Sequence, residues 1–126
     1  MIAGMRPRLQ DGTFYFCTTD DAAVAEQAMP MALATFREDE GISLILPEAA
    51  AQRLGLPAEQ PMRQITLGVY SALDGVGLTA AVATALAETG IACNMVAAFH
   101  HDHAFVPADR ADEALACLTA LSDATW

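Results

Sequence analysis

The pattern of apolar and polar positions is clearest in the second half of the chain. Residues 63–70 alternate with a period of two, which predicts a strand whose apolar face is Ile65, Leu67 and Val69. Residues 74–89 repeat apolar side chains at every fourth position, which predicts a helix with the stripe Leu78, Val82 and Leu86. Asp74 is a suitable N-cap for this helix, and Gly90 is a suitable residue just past its end.

The pattern after Gly90 predicts a hairpin and a final helix. Residues 91–99 form an apolar run typical of a strand, and residues 104–106 form the strand that returns. The polar segment between them predicts a tight turn that sets His100 opposite His103. Asp109 is expected to cap the final helix, whose apolar stripe is Ala114, Cys117, Leu118 and Leu121.

The first half of the chain repeats this order of elements. Its predicted elements are the end of a short helix in 1–10, a strand at 13–17, one or two helical turns in 18–29, a hairpin of the runs 31–36 and 42–46, and a helix that Pro47 opens and Gly55 ends. Four positions also match at an offset of 63, namely Ala34 with Ala97, Phe36 with Phe99, Asp39 with Asp102 and Glu40 with His103. The order β-α-β-β-α, found twice, and this offset predict an internal duplication.

Composition and charge narrow the function. The 126 residues include six Arg, no Lys and 16 Asp+Glu, so the formal net charge is −10. A P-loop and a Schiff-base enzyme both need a lysine, and sequence-independent nucleic-acid binding needs a cationic face that six scattered arginines do not form. No apolar run is long enough for a transmembrane helix, and the N-terminus lacks the apolar core of a signal peptide. We therefore expect a cytoplasmic protein with no nucleic-acid or membrane partner and three reduced, buried cysteines.

The glycine-rich segment G-V-G-L-T-A at 75–80 follows a strand and opens a helix, as a dinucleotide-binding loop does. The strand ends too early for that tight turn, and the next strand returns through an antiparallel hairpin, so we reject a dinucleotide site. Gly75 and Gly77 still leave backbone N–H groups accessible at a helix N-terminus, which favours an anion such as a carboxylate. The alternative is a loop in which the glycines only allow the chain to turn.

Two further features have a functional and a structural interpretation. Opposed imidazoles at His100 and His103, with Asp102, could hold zinc, but an exposed polar turn explains the same residues. Asn94 lies within an apolar strand, where a buried amide must find a partner. That partner is either a ligand beside the 71–79 loop or a neighbouring backbone group.

Signals of catalysis are nearly absent. The three serines lie outside any G-x-S-x-G elbow, and no cysteine has a histidine close in sequence. We therefore predict that the protein is not an enzyme, with no catalytic residues, no bound metal and no cofactor.

From residue 63 onward the sequence is similar to the ACT domain, the small-molecule regulatory module of amino-acid metabolism. The similarity lies in the strand 63–73, the loop and helix 74–90 and the segment 91–107, and its L…G-I-x-x-N pattern resembles aspartate-kinase regulatory domains. The whole chain resembles small stand-alone bacterial proteins with two ACT-like halves, a likeness carried further by the segments 36–46 and 100–107.

The resemblance implies an α+β fold. The expected architecture is a tandem duplication of ferredoxin-like βαββαβ modules, each an antiparallel sheet backed by helices. The expected halves are an N-terminal ACT-like half at 1–60 and a C-terminal ACT domain at 61–126.

The resemblance also implies a function, namely regulation through an amino acid or similar small metabolite bound at an ACT–ACT interface of a homo-oligomer. Its ligand carboxylate would lie on the amides of residues 75–77, and its ammonium near Asp74 or the Asn94 carbonyl. The implied ligand contacts are Ser71, Leu73, Asp74, Gly75, Val76, Gly77, Leu78 and Asn94. Two alternatives are a ligand-free protein–protein interaction module that regulates a partner enzyme and a small metal-dependent enzyme that uses the His100–His103 turn.

Overall fold

The structure is a computed structural model that describes residues 5–68 and 77–123. The chain divides into two compact units, one of residues Gly12–Met62 (the N unit) and one of Met1–Asp11 with Arg63–Trp126 (the C unit). These units differ from the halves 1–60 and 61–126 at the N-terminus, because Pro7–Leu9 pairs antiparallel with a strand of the C unit.

The described elements follow one another in an order that contains the same motif twice. They are β1 (Pro7–Leu9), β2 (Phe14–Thr19), α1 (Ala22–Ala28), β3 (Ala34–Glu38), β4 (Gly41–Pro47), α2 (Glu48–Leu54), β5 (Met62–Leu67), α3 (Leu78–Glu88), β6 (Asn94–Ala97), β7 (Asp102–Pro107) and α4 (Ala111–Asp123). The predicted order β-α-β-β-α is confirmed from β2 to α2 and again from β5 to α4.

The N unit is an antiparallel sheet in the order β3-β4-β2, with Phe14 of β2 also paired to Met62. Successive side chains of a strand point to opposite faces. Tyr15 and Cys17 therefore share one face, where they join the helices in a core that includes Ala28, Leu44, Leu46, Ala50 and Ala51. Gly55, in the left-handed region with φ 66°, ends α2 as predicted.

The C unit has the strand order β1-β5-β7-β6, with α3 and α4 packed on one face. Ile65 and Leu67 of β5 meet the helices in a core with Val82, Leu86, Ala104, Val106, Ala114 and Leu118. The predicted stripes of both helices are therefore confirmed as core-facing. The sheet face turned away from the helices is called the open face in each unit.

Three local predictions are wrong for reasons of tertiary structure. Residues 7–9 form β1 instead of a helix end, since Leu9 pairs with Ile65 and packs against the C-unit core. The strand predicted at 91–99 is confined to Asn94–Ala97. Asp109 lies inside a 3-10 turn at 108–110 and does not cap α4.

The internal repeat has an offset of 60, not the predicted 63. Ala34 pairs with Ile45, and the residues 60 positions later, Asn94 and Phe105, pair in the same way. Arg37 pairs with Ile42, and the residues 60 positions later, Ala97 and Asp102, do so too. The strand register therefore makes Phe36 equivalent to Val96, and the earlier match to Phe99 is coincidental.

No helix in the described ranges 5–68 and 77–123 is long and apolar enough to cross a membrane.

Candidate functional site

Within the described residues, no side chain caps the start of the helix α3. Gly77 occupies the N-cap position with φ 101°, and the first turn from Leu78 contains no acidic residue. The first N–H groups of a helix have no partner within it, and the helix dipole makes this end attractive to an anion. Ala81 N–H donates to the Gly77 carbonyl over 2.9 Å, so the helical hydrogen bonds start there.

The described residues do not crowd Gly77. A Cβ placed on it would meet none of their atoms within 4 Å, apart from its own chain neighbours. The prediction that the helix starts at Asp74 is wrong, because its N-cap is Gly77 and its first residue is Leu78. Asp74 itself lies outside the described residues. The start of α3 therefore keeps the properties expected of a carboxylate site as far as the structure describes it.

The corresponding helix of the N unit is capped by its own chain. The Asp21 carboxylate Oδ1 accepts hydrogen bonds from Ala23 N–H over 2.9 Å and from Val24 N–H over 3.2 Å. A second carboxylate from a ligand would meet a negative charge there. Of these two equivalent helices, α1 is thus capped by a carboxylate of its own chain, whereas α3 has no such cap among the described residues.

The structure describes three of the eight predicted ligand contacts. Gly77 and Leu78 form the start of α3, and Asn94 is the first residue of β6. Asn94 is exposed, so the expectation of a buried amide is wrong. The other five lie outside the described residues: Ser71, Leu73, Asp74, Gly75 and Val76.

The described contacts do not lie together within the C unit. Ile91 N–H donates to the Leu86 carbonyl over 2.9 Å, which holds the chain against the C-terminal end of α3 three residues before Asn94. Gly77 is at the other end of this helix, which at 1.5 Å per residue spans about 16 Å. An amino acid is too short to bridge that length.

The histidine-rich turn differs from the prediction. Asp102 pairs with Ala97 and His103 with Val96, so the turn comprises residues 98–101 and His100 is not opposite His103. Asp102 is buried. Among the residues that the structure describes, no group of three or more His, Cys, Asp or Glu is arranged to hold a metal ion.

A polar network on the open face of the C unit was not anticipated. Gln64 and Thr66 are only 7% and 3% exposed, although they alternate with the core residues of β5. Gln10 Nε2 donates to Thr66 Oγ1 over 2.9 Å, and His103 Nδ1 lies 3.0 Å from Thr66 Oγ1 and 3.1 Å from Gln64 Nε2. The only signal in the sequence was the polar alternation of β5, which by itself indicates an exposed face.

The network determines which nitrogen of His103 carries the proton. Thr66 Oγ1 already accepts from Gln10, so its hydroxyl hydrogen can be donated to Nδ1 of His103, which also faces the amide nitrogen of Gln64. This arrangement assigns the proton to Nε2. Burial lowers the pKa of His103 from its ordinary value of 6.5; the nearby His101 lowers it further, and Asp102 partly offsets the change.

The lowered pKa of His103 makes folding sensitive to acid. The unfolded chain binds a proton at this side chain near pH 6.5, and the folded chain binds one only at lower pH. The contribution of neutral His103 to the free energy of unfolding is therefore complete above pH 6.5 and is lost as the pH falls. We expect the free energy of unfolding, measured with urea from pH 7.5 to pH 5, to fall less steeply in His103→Gln than in the wild type. His100→Gln, which removes an exposed imidazole of the 98–101 turn, is the matched control. An identical pH slope in wild type and His103→Gln would contradict the assignment.

The expectation of three buried cysteines is wrong for two of them, since Cys17 is buried but Cys93 and Cys117 are half-buried. All three are free, and burial raises the pKa of the Cys17 and Cys93 thiols. A raised thiol pKa lowers the fraction of reactive thiolate at neutral pH.

Comparison with protein families identifies both halves of the chain. Two models, each of the ACT domain, match it, one over residues 1–63 and the other over residues 59–120. No curated protein matches the chain.

Solved structures share the fold. A protein of unknown function from Vibrio cholerae, described as a possible transport protein, is 43% identical with a TM-score of 0.84, over 93% of this chain and 88% of that one. A protein from Agrobacterium tumefaciens is 16% identical with a TM-score of 0.73, over 92% and 87% of the two chains. The regulatory subunit of aspartate kinase from Thermus flavus is 12% identical with a TM-score of 0.62, over 94% and 98%.

Proposed function

The chain belongs to the ACT domain family, and from this premise we propose that it is a non-catalytic regulatory protein that binds an amino acid or similar small metabolite at an ACT–ACT interface. The observation that carries the proposal is the start of α3, where the described residues provide no side-chain cap and do not crowd Gly77. The first amides of α3 would bind the ligand carboxylate. The predicted contacts at 71–76 would complete the site, with Asp74 or the Asn94 carbonyl near the ammonium.

The cation that lies against α3 is held at the end away from Gly77. The chain has no Lys, and the Arg110 guanidinium is bonded to the Glu113 carboxylate at 2.7 Å and to the Thr89 and Gly90 carbonyls at 3.1 and 3.3 Å. Arg110 therefore does not compete with the backbone amides at the start of α3 for a ligand carboxylate.

The separation of Gly77 from Asn94 supports a homo-oligomer. Because the two residues lie at opposite ends of α3, a ligand that touches both needs them from different ACT modules. The likeness to the regulatory subunit of aspartate kinase agrees with a regulatory role.

Ligand binding is tested by thermal shift with each of the twenty amino acids at millimolar concentration. A ligand at 100 times its Kd stabilises the folded state by about 2.7 kcal/mol. We expect at least one amino acid to raise the Tm and its carboxamide derivative to raise it much less, because the amide removes the charge that the helix start binds.

The variant Asn94→Ala tests the second part of the site. We expect it to weaken binding of the same amino acid at least tenfold by calorimetry while the Tm without ligand stays near that of the wild type, since Asn94 is exposed. Gln52→Ala, which removes an exposed amide from α2, is the control. A screen without any stabilising amino acid would contradict the proposal and favour the ligand-free interaction module.

A further inference from the structure

The open face of the C-unit sheet carries a row of polar side chains. Ile65 and Ala104 face the helices, and side chains alternate along a strand, so Thr66 and His103 lie on the open face. Arg8 pairs with Thr66 across β1 and β5. His103 lies on the other side of Thr66, on β7, with its Nδ1 3.0 Å from the hydroxyl oxygen. We call Arg8, Thr66 and His103 the donor row.

Within the described strands of the C unit, no carboxylate lies on the open face. Asp102 is the single Asp or Glu in β1, β5, β6 and β7. It shares a face with Ala104, which packs against the helices. Although the chain has a net charge of −10, its open face in the C unit therefore presents a cation, Arg8, without a counter-charge.

Both ends of the donor row provide N–H groups that lack an acceptor. Arg8 is exposed, and its guanidinium forms no ion pair with a described residue. Because Nδ1 of His103 accepts the Thr66 hydroxyl hydrogen, the imidazole proton is on Nε2. No side chain or carbonyl of the described residues accepts a hydrogen bond from Nε2. The donor row is thus complementary to a group that carries only acceptors.

The imidazole of His103 is held in place from below. Gln64 and Thr66, which are 7% and 3% exposed, both contact its Nδ1, and Gln10 Nε2 donates to Thr66 Oγ1 over 2.9 Å. These buried hydrogen bonds fix the ring and its tautomer before any ligand arrives. A donor that is already oriented binds more tightly, because less conformational entropy is lost on binding.

We propose that the donor row is a second binding site, which takes the oxyanion of a small metabolite between the Arg8 guanidinium and Nε2–H of His103. Neighbouring strands are 4.7–4.9 Å apart, so the backbones of Arg8 and His103 are separated by about 10 Å, with Thr66 between them. The oxyanion is a phosphate or a carboxylate group, since a guanidinium forms charge-assisted hydrogen bonds with either. This site goes beyond the proposed function and does not involve the start of α3.

The test is an NMR titration of the full chain with sodium phosphate and, separately, with sodium acetate, at pH 7.5 and constant ionic strength. We expect the Nε2 and Hε2 resonances of His103 to shift to saturation with at least one of the two anions, with a Kd in the millimolar range. Saturation by phosphate alone identifies a phosphate ligand, and saturation by acetate alone identifies a carboxylate. No saturable shift with either anion up to 50 mM would overturn the proposal and would leave the amino-acid screen unaffected.

Three variants show whether the donor row is the site, with the Kd followed through the backbone amides of β5. Arg8→Gln and His103→Asn should each raise the Kd at least tenfold. Asparagine keeps an acceptor for the Thr66 hydroxyl but has no counterpart of Nε2–H. Arg53→Gln, which removes the charge of an exposed arginine in α2, should leave the Kd unchanged. Equal weakening by Arg53→Gln, or an unchanged Kd in Arg8→Gln, would contradict the assignment.

The protonation of His103 provides a readout that a purely structural network would not change. A bound anion stabilises the imidazolium, so saturating phosphate or acetate should raise the pKa of His103 in the wild type and not in Arg8→Gln. His101 and Asp102, which also influence this pKa, are the same in both proteins. Circular dichroism checks folding. If His103→Asn is unfolded, Arg8→Gln decides, because its side chain is exposed and an unchanged Kd there overturns the proposal.

Discussion

Replacement of Phe105 by alanine should lower the free energy of unfolding by about 3–5 kcal/mol. Phe105 is 1% exposed and is the largest fully buried side chain among the residues that the structure describes. It lies on the open face of the C unit, since its neighbours Ala104 and Val106 face the helices. Truncation removes a buried ring and leaves a cavity that the β-sheet backbone cannot close. Urea unfolding followed by circular dichroism, at one fixed protein concentration, measures the change.

Phe99→Ala is the control for the loss of a phenyl ring in the same unit. Phe99 is 69% exposed, so its truncation should change the free energy of unfolding by no more than about 0.5 kcal/mol. Similar losses in the two variants would show that Phe105 is not the packed side chain that the structure describes.

Gly41→Ala should destabilise the protein by about 3 kcal/mol or more. Gly41 begins β4 with φ 148°, and a Cβ at this position would lie 2.5 Å from the Thr19 carbonyl oxygen. The obstacle is backbone of the paired strand β2 and cannot rotate away. The added methyl group must therefore shift the β2–β4 pairing. The same urea unfolding experiment measures the loss.

Gly55→Ala measures the cost of a positive φ alone, without the steric overlap present at Gly41. Gly55 also has a positive φ, of 66°, but a Cβ there meets nothing within 4 Å in the described residues. Its replacement should cost only about 1 kcal/mol, the ordinary cost of a left-handed alanine. A loss for Gly41→Ala no larger than that for Gly55→Ala would contradict the close approach to Thr19.

The candidate site could be predicted only in part from the sequence. The glycine-rich start of α3 was recognisable because helix periodicity and the need of N-terminal amides for a partner are local properties. The carboxylate cap that distinguishes α1 from α3 was not recognisable, because the hydrogen bonds from Asp21 depend on the residue at which α1 begins. The exposure of Asn94 was missed because β6 begins at this residue and is shorter than its apolar run.

The sequence by itself determined the type and order of most elements. Alternation predicted β5, a four-residue period predicted α3, and Pro47 with Gly55 bounded α2, since each signal depends on neighbours along the chain. The same local signals were enough to predict an α+β fold of two ACT-like halves.

Tertiary structure alone decided the pairing and the burial. The N-terminal segment is a strand because its partner, β5, lies more than fifty residues away and its Leu9 enters the C-unit core. The repeat offset of 60 follows from the register of the paired strands. The residue matches at an offset of 63 carry no information about that register. Gln64 and Thr66 alternate as exposed residues would, yet they are buried in hydrogen bonds with Gln10 and His103. Periodicity shows which residues share a face, whereas only long-range contacts determine what covers that face.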